Sequence, residues 1–341
     1  MSQHISQGPA ALLRRHQTPV ILIMAILALA GLSLLGNSNA LSMTLVEMMI
    51  RIVVVVGMYI FIGNSGVVSF GHIGFMCIGA YGAAWASADP MFKQIMLSGL
   101  PEVLRDHQYS FAVSASLGVF LAAFAALIFG GAILRLAGIS YGIATFAFLI
   151  MVNSVYSSWE SVTGGLSSIT GIPSVVGLWT AVGFASAAIL VAYLFQVSRY
   201  GLMLKASRED DVAARAIGVK VVRMRFVSFV LSAAVVGAGG ALYAHFLGIL
   251  TVDPFYLQLC FLTIAMLVVG GISSLSGAVL GVVVVTVVVE GLRIGERGIG
   301  PVGLPVGSQE LGLGLLMALV LVFRPLGLSN GKEAKITKND Q

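Results

Sequence analysis

SRYGLMLKASREDDVAARAIGVKVVRMR, residues 198–225, is the longest strongly charged run in the chain. It carries seven basic residues (Arg199, Lys205, Arg208, Arg215, Lys220, Arg223, Arg225) and three acids (Glu209, Asp210, Asp211), a net charge of +4. Apolar stretches of membrane length flank it, 175–197 before and 226–248 after. A basic loop between two spans belongs in the cytoplasm, because Lys and Arg resist translocation. Composition agrees: 58% of residues are hydrophobic and 10% charged, with a mean hydropathy of +1.00. Soluble domains carry about 25% charged residues. The chain therefore reads as an all-α polytopic membrane protein, and 341 residues leave room for about ten spans of roughly 20 residues. The net charge of +5 sits mainly beside the spans. It is a topology signal with membrane lipid as its surroundings, and no nucleic acid is expected as a partner.

A short helix is written inside the charged run. Ser207 can act as N-cap, with its hydroxyl accepting from a free amide of the first turn. Asp210 stands three residues on, as in a capping box. Glu209, Asp210 and Asp211 then lie in the first turn, where the helix dipole favours them. Arg215 falls near the far end, and Gly218 can take the left-handed position that follows a helix. Val212, Ala213, Ala216 and Ile217 form an apolar face suited to a groove on a cytosolic partner. The alternative is a solvated loop helix lying on the membrane surface.

Toward the N-terminus, 1–18 is a polar tail with Arg14, Arg15 and His16 just before the first apolar run. No small-residue cleavage pattern follows, so 19–36 is read as an uncleaved first span with the N-terminus inside. The second apolar stretch, 41–62, carries Glu47 and Arg51 at i, i+4, spaced to pair on one face. Such a pair is either a piece of a solute path or a structural ion pair near the outer interface. Residues 63–85, GNSGVVSFGHIGFMCIGAYGAAW, crowd six glycines with Asn64, Ser65, Ser69 and His72. Small residues let helices approach closely, and a Gly-interrupted apolar segment can unwind to present polar groups to a solute. His72 is either a packing histidine or a relay or ligand.

Toward the C-terminus, 257–292 holds two apolar runs around GGISSLSG, 270–277. These form two tilted helices or a hairpin of half-helices, and Ser274 lies at their junction. The Gly and Ser content there faintly echoes 63–82, a hint of an internal repeat. A Gly/Pro-rich loop, 293–308, precedes a last run, 309–323. The tail from 325 carries Lys332, Lys335 and Lys338, which places the C-terminus inside with the N-terminus. The permease domain then spans 19–324, with tails at 1–18 and 325–341. Cys77 and Cys260 lie in apolar segments and read as packing residues. No phosphate loop, His/Cys metal spacing or nucleophile elbow occurs, so neither a catalytic centre nor a metal is expected on this chain.

Several of these stretches resemble one family. Ala213, Ala214 and Gly218, following acids, are similar to the cytoplasmic coupling loop of ABC importer permeases, although Val212 stands where a Glu is usual. The piece from Arg199 to Ala244 resembles the branched-chain amino acid permeases of the LivM type. Gly63, Gly66, Ser69, Gly71, His72, Phe75, Gly79, Ala80 and Tyr81 match a second motif of that family, preceded by Tyr59 where Asn is usual. RLAGISYGIATFAF, 135–148, matches a third, with Leu149, Ile150 and Met151 where an acid often follows. WESVTGGLSSITGIP, 159–173, is similar to the family's outer loop, which is either a contact for a binding protein or a rigid turn cluster. Gly270, Gly271, Ser274, Leu275, Gly277 and Gly281 match again, and Arg324–Leu328 is the family's usual ending.

The resemblance implies the membrane subunit of an importer in a bacterial inner membrane. Its expected partners are two cytosolic ABC ATPases carrying ATP and Mg, a second homologous permease and a periplasmic substrate-binding protein. The ATPase-coupling residues would be Ser207, Arg208, Glu209, Asp210, Asp211, Ala213, Ala214, Arg215 and Gly218. Tyr59, Asn64, Ser65, Ser69, His72 and Ser274 are candidates for the path. Branched-chain amino acids are the implied cargo, with urea or short amides as an alternative on the same scaffold. A stand-alone secondary transporter or channel is the alternative of another class.

Overall fold

The computed structural model describes residues 17–35, 39–136, 138–297, 305 and 307–334. Arg14, Arg15, His16, Lys335 and Lys338, singled out above, lie outside the described residues, as do 298–304 and 306 of the expected 293–308 loop, whose first five residues, 293–297, are helical instead. The described residues fold into helices α1 (Gln17–Leu35), α2 (Asn39–Ser65), α3 (His72–Ser87), α4 (Pro90–Met96), α5 (Glu102–Arg105), α6 (Phe111–Ile133), α7 (Ile139–Ser158), α8 (Glu160–Thr163) and α9 (Leu178–Val197). They continue with α10 (Arg199–Glu209), α11 (Asp211–Ala216), α12 (Val221–Leu247), α13 (Leu257–Gly270), α14 (Leu275–Arg297) and α15 (Ser308–Phe323). Extended pairing among them is limited to an isolated antiparallel bridge between Ile169 and Leu250. Among the described residues, α2, α6, α7, α9, α12 and α14 are long and apolar enough to cross a membrane, and α1, α13 and α15 are shorter apolar helices.

A helix apolar all round belongs in the interior or in lipid, and α2 is such a helix apart from its Glu47–Arg51 pair. Of its most apolar 18-residue window, 89% is buried, against 28% for α6 and for α7. It packs against α9, α12 and α14, while α3 fills the space between α6 and α12. Small residues set these approaches. A Cβ at Gly79 of α3 would collide with the Gly237 backbone of α12, and one at Gly118 of α6 would collide with the Gly79 carbonyl. In a lipid-solvated protein this close backbone contact replaces the hydrophobic drive for helix association. The exposed sides of α6 and α7 carry Phe120, Phe124, Ile128, Ile139 and Ile143, an apolar surface that water does not favour.

The Gly-rich segment 63–85 is not one helix. α2 stops at Ser65, Gly66 turns at φ +72, and α3 begins at His72. Residues 257–297 divide likewise, into the 14-residue α13 and the 23-residue α14, with Gly271 at φ +120 between them. One helix of that pair is therefore long and the other short. Cys77 and Cys260 are buried and free, as their apolar settings suggested.

At the end of the bundle opposite the charged loop, α4, α5 and α8 form a cap. Asp89 N-caps α4, accepting from Met91 and Phe92. Lys93 is fully buried, with its Nζ donating to the carbonyls of Trp85 (3.2 Å), Leu104 (2.6 Å) and His107 (2.6 Å). The 159–173 loop is held by Thr163, whose hydroxyl reaches the Tyr156 and Trp159 carbonyls. Asp89 N–H donates to Gly171 O, and Gly164, Gly165 and Gly171 all have positive φ. These hydrogen bonds and positive-φ glycines fold the loop into a cluster of turns.

Candidate coupling surface and path residues

The charged loop folds as two helices. Ser198, at its first residue, N-caps α10 by accepting from Gly201 N–H at 3.3 Å. Ser207 is not an N-cap: it is buried inside α10, with its hydroxyl donating to the Leu204 carbonyl at 2.8 Å. The backbone leaves the helix three residues later, at Asp210 (φ −150, ψ 107). Asp210 Oδ1 accepts from Val212 N–H and Ala213 N–H, both at 2.9 Å, so Asp210 is the cap of α11. Only Asp211 lies in the first turn of α11, and Glu209 ends α10. Gly218 takes φ +88 just past α11, as the sequence indicates. Gly218 N–H donates to Arg215 O and Val219 N–H to Ala214 O, which closes the free carbonyls.

α11 presents its apolar side outward. Val212 and Ile217 are 78% and 79% exposed, Ala213 and Ala216 are exposed, and Ala214 is buried. Two arginines fasten this unit to the bundle. Arg208 Nη1 donates to the Gly63 carbonyl at the end of α2 (2.8 Å). Asp211 receives Arg215 at 2.7 Å within α11 and Arg225 of α12 at 3.6 Å. The largely exposed Glu209 lies 3.5 Å from Arg208. Arg208 therefore points into the bundle, and the outward face consists of α11 residues.

The path candidates fall into two groups. Ser69 and His72 are fully buried at the α2–α3 break, as is Asn64 just before it. Ser69 Oγ, both His72 ring nitrogens, Asn64 Oδ1 and the nearby Tyr141 hydroxyl have no hydrogen-bond partner among the described residues. The His72 ring lies among Phe61, Phe75 and Phe229, with centroids 5.6–6.3 Å apart. Asn64 Nδ2 donates to Ile60 O, and Ser65 Oγ accepts from Val67 N–H. Thr145 of α7 accepts from Phe70 N–H at 3.3 Å, which joins the 63–81 and 135–148 motifs along one apolar groove of about 740 Å³. Glu47 and Arg51 do pair within α2, beside Tyr243 and Leu259.

Tyr59 and Ser274 belong to the second group. Tyr59, buried in α2, donates to Gln196 Oε1 of α9 (3.0 Å), and Gln196 Nε2 donates to Glu333 Oε1 (3.0 Å). Glu333 caps α14 by accepting from Leu275 N–H (2.9 Å) and Ser276 N–H (3.1 Å). Ser274 Oγ pairs with Ser329 Oγ at 2.7 Å and accepts from Gly277 N–H at 2.9 Å, which is a helix-capping position. Leu328 and Ser329 N–H donate to the Val269 and Gly270 carbonyls. The C-terminal segment thus closes the end of α13 and the start of α14 together. Burial lowers the pKa of Lys205, with Glu333 opposing that shift. Sequence reasoning missed Gln196 and Glu333; the one signal was a polar residue ending the apolar run of α9. No group of three metal-ligating side chains occurs among the described residues.

A family model described as the branched-chain amino acid transport system / permease component matches residues 40–323. The chain is similar to the high-affinity branched-chain amino acid transport system permease protein LivM of Salmonella typhimurium, with 26% identity over 86% of this chain and 70% of the relative. The similarity to the Escherichia coli protein of that name is also 26%, over 82% and 68%. A probable branched-chain amino acid transport permease protein LivM of Methanocaldococcus jannaschii is 26% identical over 57% of this chain and 53% of its own length. No solved structure matches the chain significantly.

Proposed function

The chain belongs to the branched-chain amino acid transport system permease family, and from that premise we propose that it is the membrane subunit of an ABC importer for branched-chain amino acids. The observation that carries the reading is α11, an exposed apolar helix clamped to the bundle through Arg208 to Gly63 and Asp211 to Arg225. In this reading the 198–225 loop and both termini face the cytoplasm of a bacterial cell. Two ATPases with ATP and Mg receive the face made by Val212, Ala213, Ala216 and Ile217. A periplasmic binding protein delivers the solute at the end capped by α4, α5 and α8. A second permease covers the groove between the α2–α3 break and α7, and the solute passes Ser69 and His72.

Mechanically, ATP-driven closure of the ATPases displaces α11. Asp210, Asp211 and Arg215 keep α11 a rigid body, and Gly218 sets its exit. Arg208 passes the displacement to the end of α2, and Arg225 passes it to α12. α2 ends at the α2–α3 break and α12 packs along α3, so the break feels both. That supplies the two-state element that alternating access requires.

The test is uptake and ATP hydrolysis in vesicles holding the whole assembly. Reversal of Glu209 and Asp210 to Lys, or Ala214→Pro, removes the cap or the Ala214-to-Asp210 hydrogen bond. Either change is expected to leave hydrolysis running while uptake falls. Unchanged uptake overturns the coupling assignment. Uptake that persists without ATP under an ion gradient points to a secondary transporter. Binding assays on the partner receptor with leucine, urea and short amides decide the cargo.

A further inference from the structure

Beside the coupling unit lies a second feature that the transport reading does not use. The end of α6 and the start of α12 border a cavity of about 550 Å³ at the charged end of the bundle. Its lining includes Arg135, Arg215, Lys220 and Arg223, with Gly131 and Phe226 behind them, and no acid. Arg215 is engaged by Asp211. Arg135, Lys220 and Arg223 are exposed and have no ion pair or side-chain hydrogen bond among the described residues. A Cβ at Gly131 would meet nothing within 4 Å, so space is open beside it, on the side of α6 where Leu127 and Ile128 are exposed.

The depth of the site follows from its neighbours. α6 ends at Ile133 and α12 begins at Val221, so the cations stand at the rim of two spans. Leu136 and Ile139, just beyond Arg135, are 43% and 84% exposed, an apolar edge unsuited to bulk water. A pocket with three uncompensated cations at the membrane rim and an aromatic wall below fits an amphiphile with an anionic head. A free anion would satisfy the cations but leave Phe226 and the Gly131 channel unused. Basic pockets between spans at a membrane surface take the head groups of anionic lipids.

We propose that the groove between the inner ends of α6 and α12 binds an anionic phospholipid. Its phosphate diester sits among Arg135, Lys220 and Arg223, and an acyl chain lies past Phe226 along Gly131. The site abuts α11 through Arg215, so an occupied groove buttresses the coupling unit. The proposal needs only the membrane placement of the chain and stands whether or not the importer reading does.

The experiment is native mass spectrometry of the full chain, in complex with whatever partners co-purify, after exchange into detergent with phosphatidylglycerol or phosphatidylcholine. Retention of phosphatidylglycerol over phosphatidylcholine is expected, each cation contributing about fivefold. A variant carrying Arg135→Ala, Lys220→Ala and Arg223→Ala should lose about a hundredfold in retention. Gly131→Leu, which fills the channel without altering charge, should lose retention as well, and Arg199→Ala, a cation outside the groove, should not. Inorganic phosphate at matched concentration should fail to displace the lipid. Equal retention of the two lipids, unchanged retention in the triple variant, or displacement by inorganic phosphate overturns the assignment. Lipid release on binding of a cytosolic partner, with failure of the triple variant to assemble, gives the groove to a protein interface instead and also overturns it.

Discussion

The guanidinium of Arg208 donates to the backbone carbonyl of Gly63 at 2.8 Å, across 145 residues of chain. Its stem also lies where a Cβ on Gly66 would stand. Two glycines of the 63–81 motif and one arginine of the charged loop are therefore one contact. The carbonyl belongs to the last turn of α2, whose free acceptors attract a cation.

Arg208→Ala should break the connection between the loop and α2 while leaving α11 intact. A hydrogen bond from a charged donor contributes about 1.5–3 kcal/mol, and partial exposure places this one at the low end. Uptake in vesicles should fall about tenfold, the factor that roughly 1.4 kcal/mol represents. ATP hydrolysis by the same assembly should fall less. A parallel loss of both activities would mean that the contact serves folding alone.

Glu333→Ala should release the C-terminal segment, because that carboxylate holds both the start of α14 and Gln196. Loss of a capping side chain costs about 1 kcal/mol, and Gln196 loses an acceptor besides. Cleavage by trypsin after Lys332 should quicken about tenfold, as about 1.4 kcal/mol of lost local protection implies. Ser329→Ala, which removes the partner of Ser274, should act in the same direction with smaller size.

Gly79→Val places side-chain atoms against the Gly237 backbone, where neither helix can yield without the other moving. Overpacking of this kind costs about 1–3 kcal/mol, and the backbone contact puts it at the upper end. The midpoint of thermal unfolding in detergent should drop by several degrees. Gly131→Ala, facing open space, should leave that midpoint unchanged or raise it.

Lys93→Met should be more damaging than its place in the short cap helix α4 suggests. The ammonium satisfies three carbonyls, and leaving a buried acceptor unpaired costs about 1–3 kcal/mol. Burial lowers the pKa of Lys93 below 10.5, with Asp89 and Asp106 opposing that shift. The unfolded chain therefore binds more protons between the folded value and 10.5, and stability from this group rises as pH climbs through that window. Unfolding midpoints of the native protein minus those of Lys93→Met should show that rise just below pH 10.5.

Much of the charged loop was readable from local chemistry. Asp210 caps α11 instead of standing in its first turn, where the capping-box pattern placed it, whereas Gly218 and the apolar set Val212, Ala213, Ala216 and Ile217 act within one or two turns and stand as sequence pattern places them. Ser207 did not, because a hydroxyl caps only where the backbone leaves helical dihedrals, and the chain stays helical through Glu209. The path candidates were recognised as buried polar groups, yet their grouping was not visible. Tyr59 and Ser274 reach the C-terminal segment, while Ser69 and His72 lie beside Tyr141.

By itself the sequence determined that this is an all-helical membrane protein with a charged loop between two of its spans. Those properties come from the length of apolar runs, the bias of Lys and Arg, and capping residues, all short-range in the chain. Only the tertiary structure decided which apolar helix is the core, how the glycines of α3, α6 and α12 meet, and that Arg208 reaches Gly63. Helices apolar on every side carry no periodic mark of which face turns inward. Backbone approach and remote hydrogen bonds settle it, and these exist only once the helices are packed.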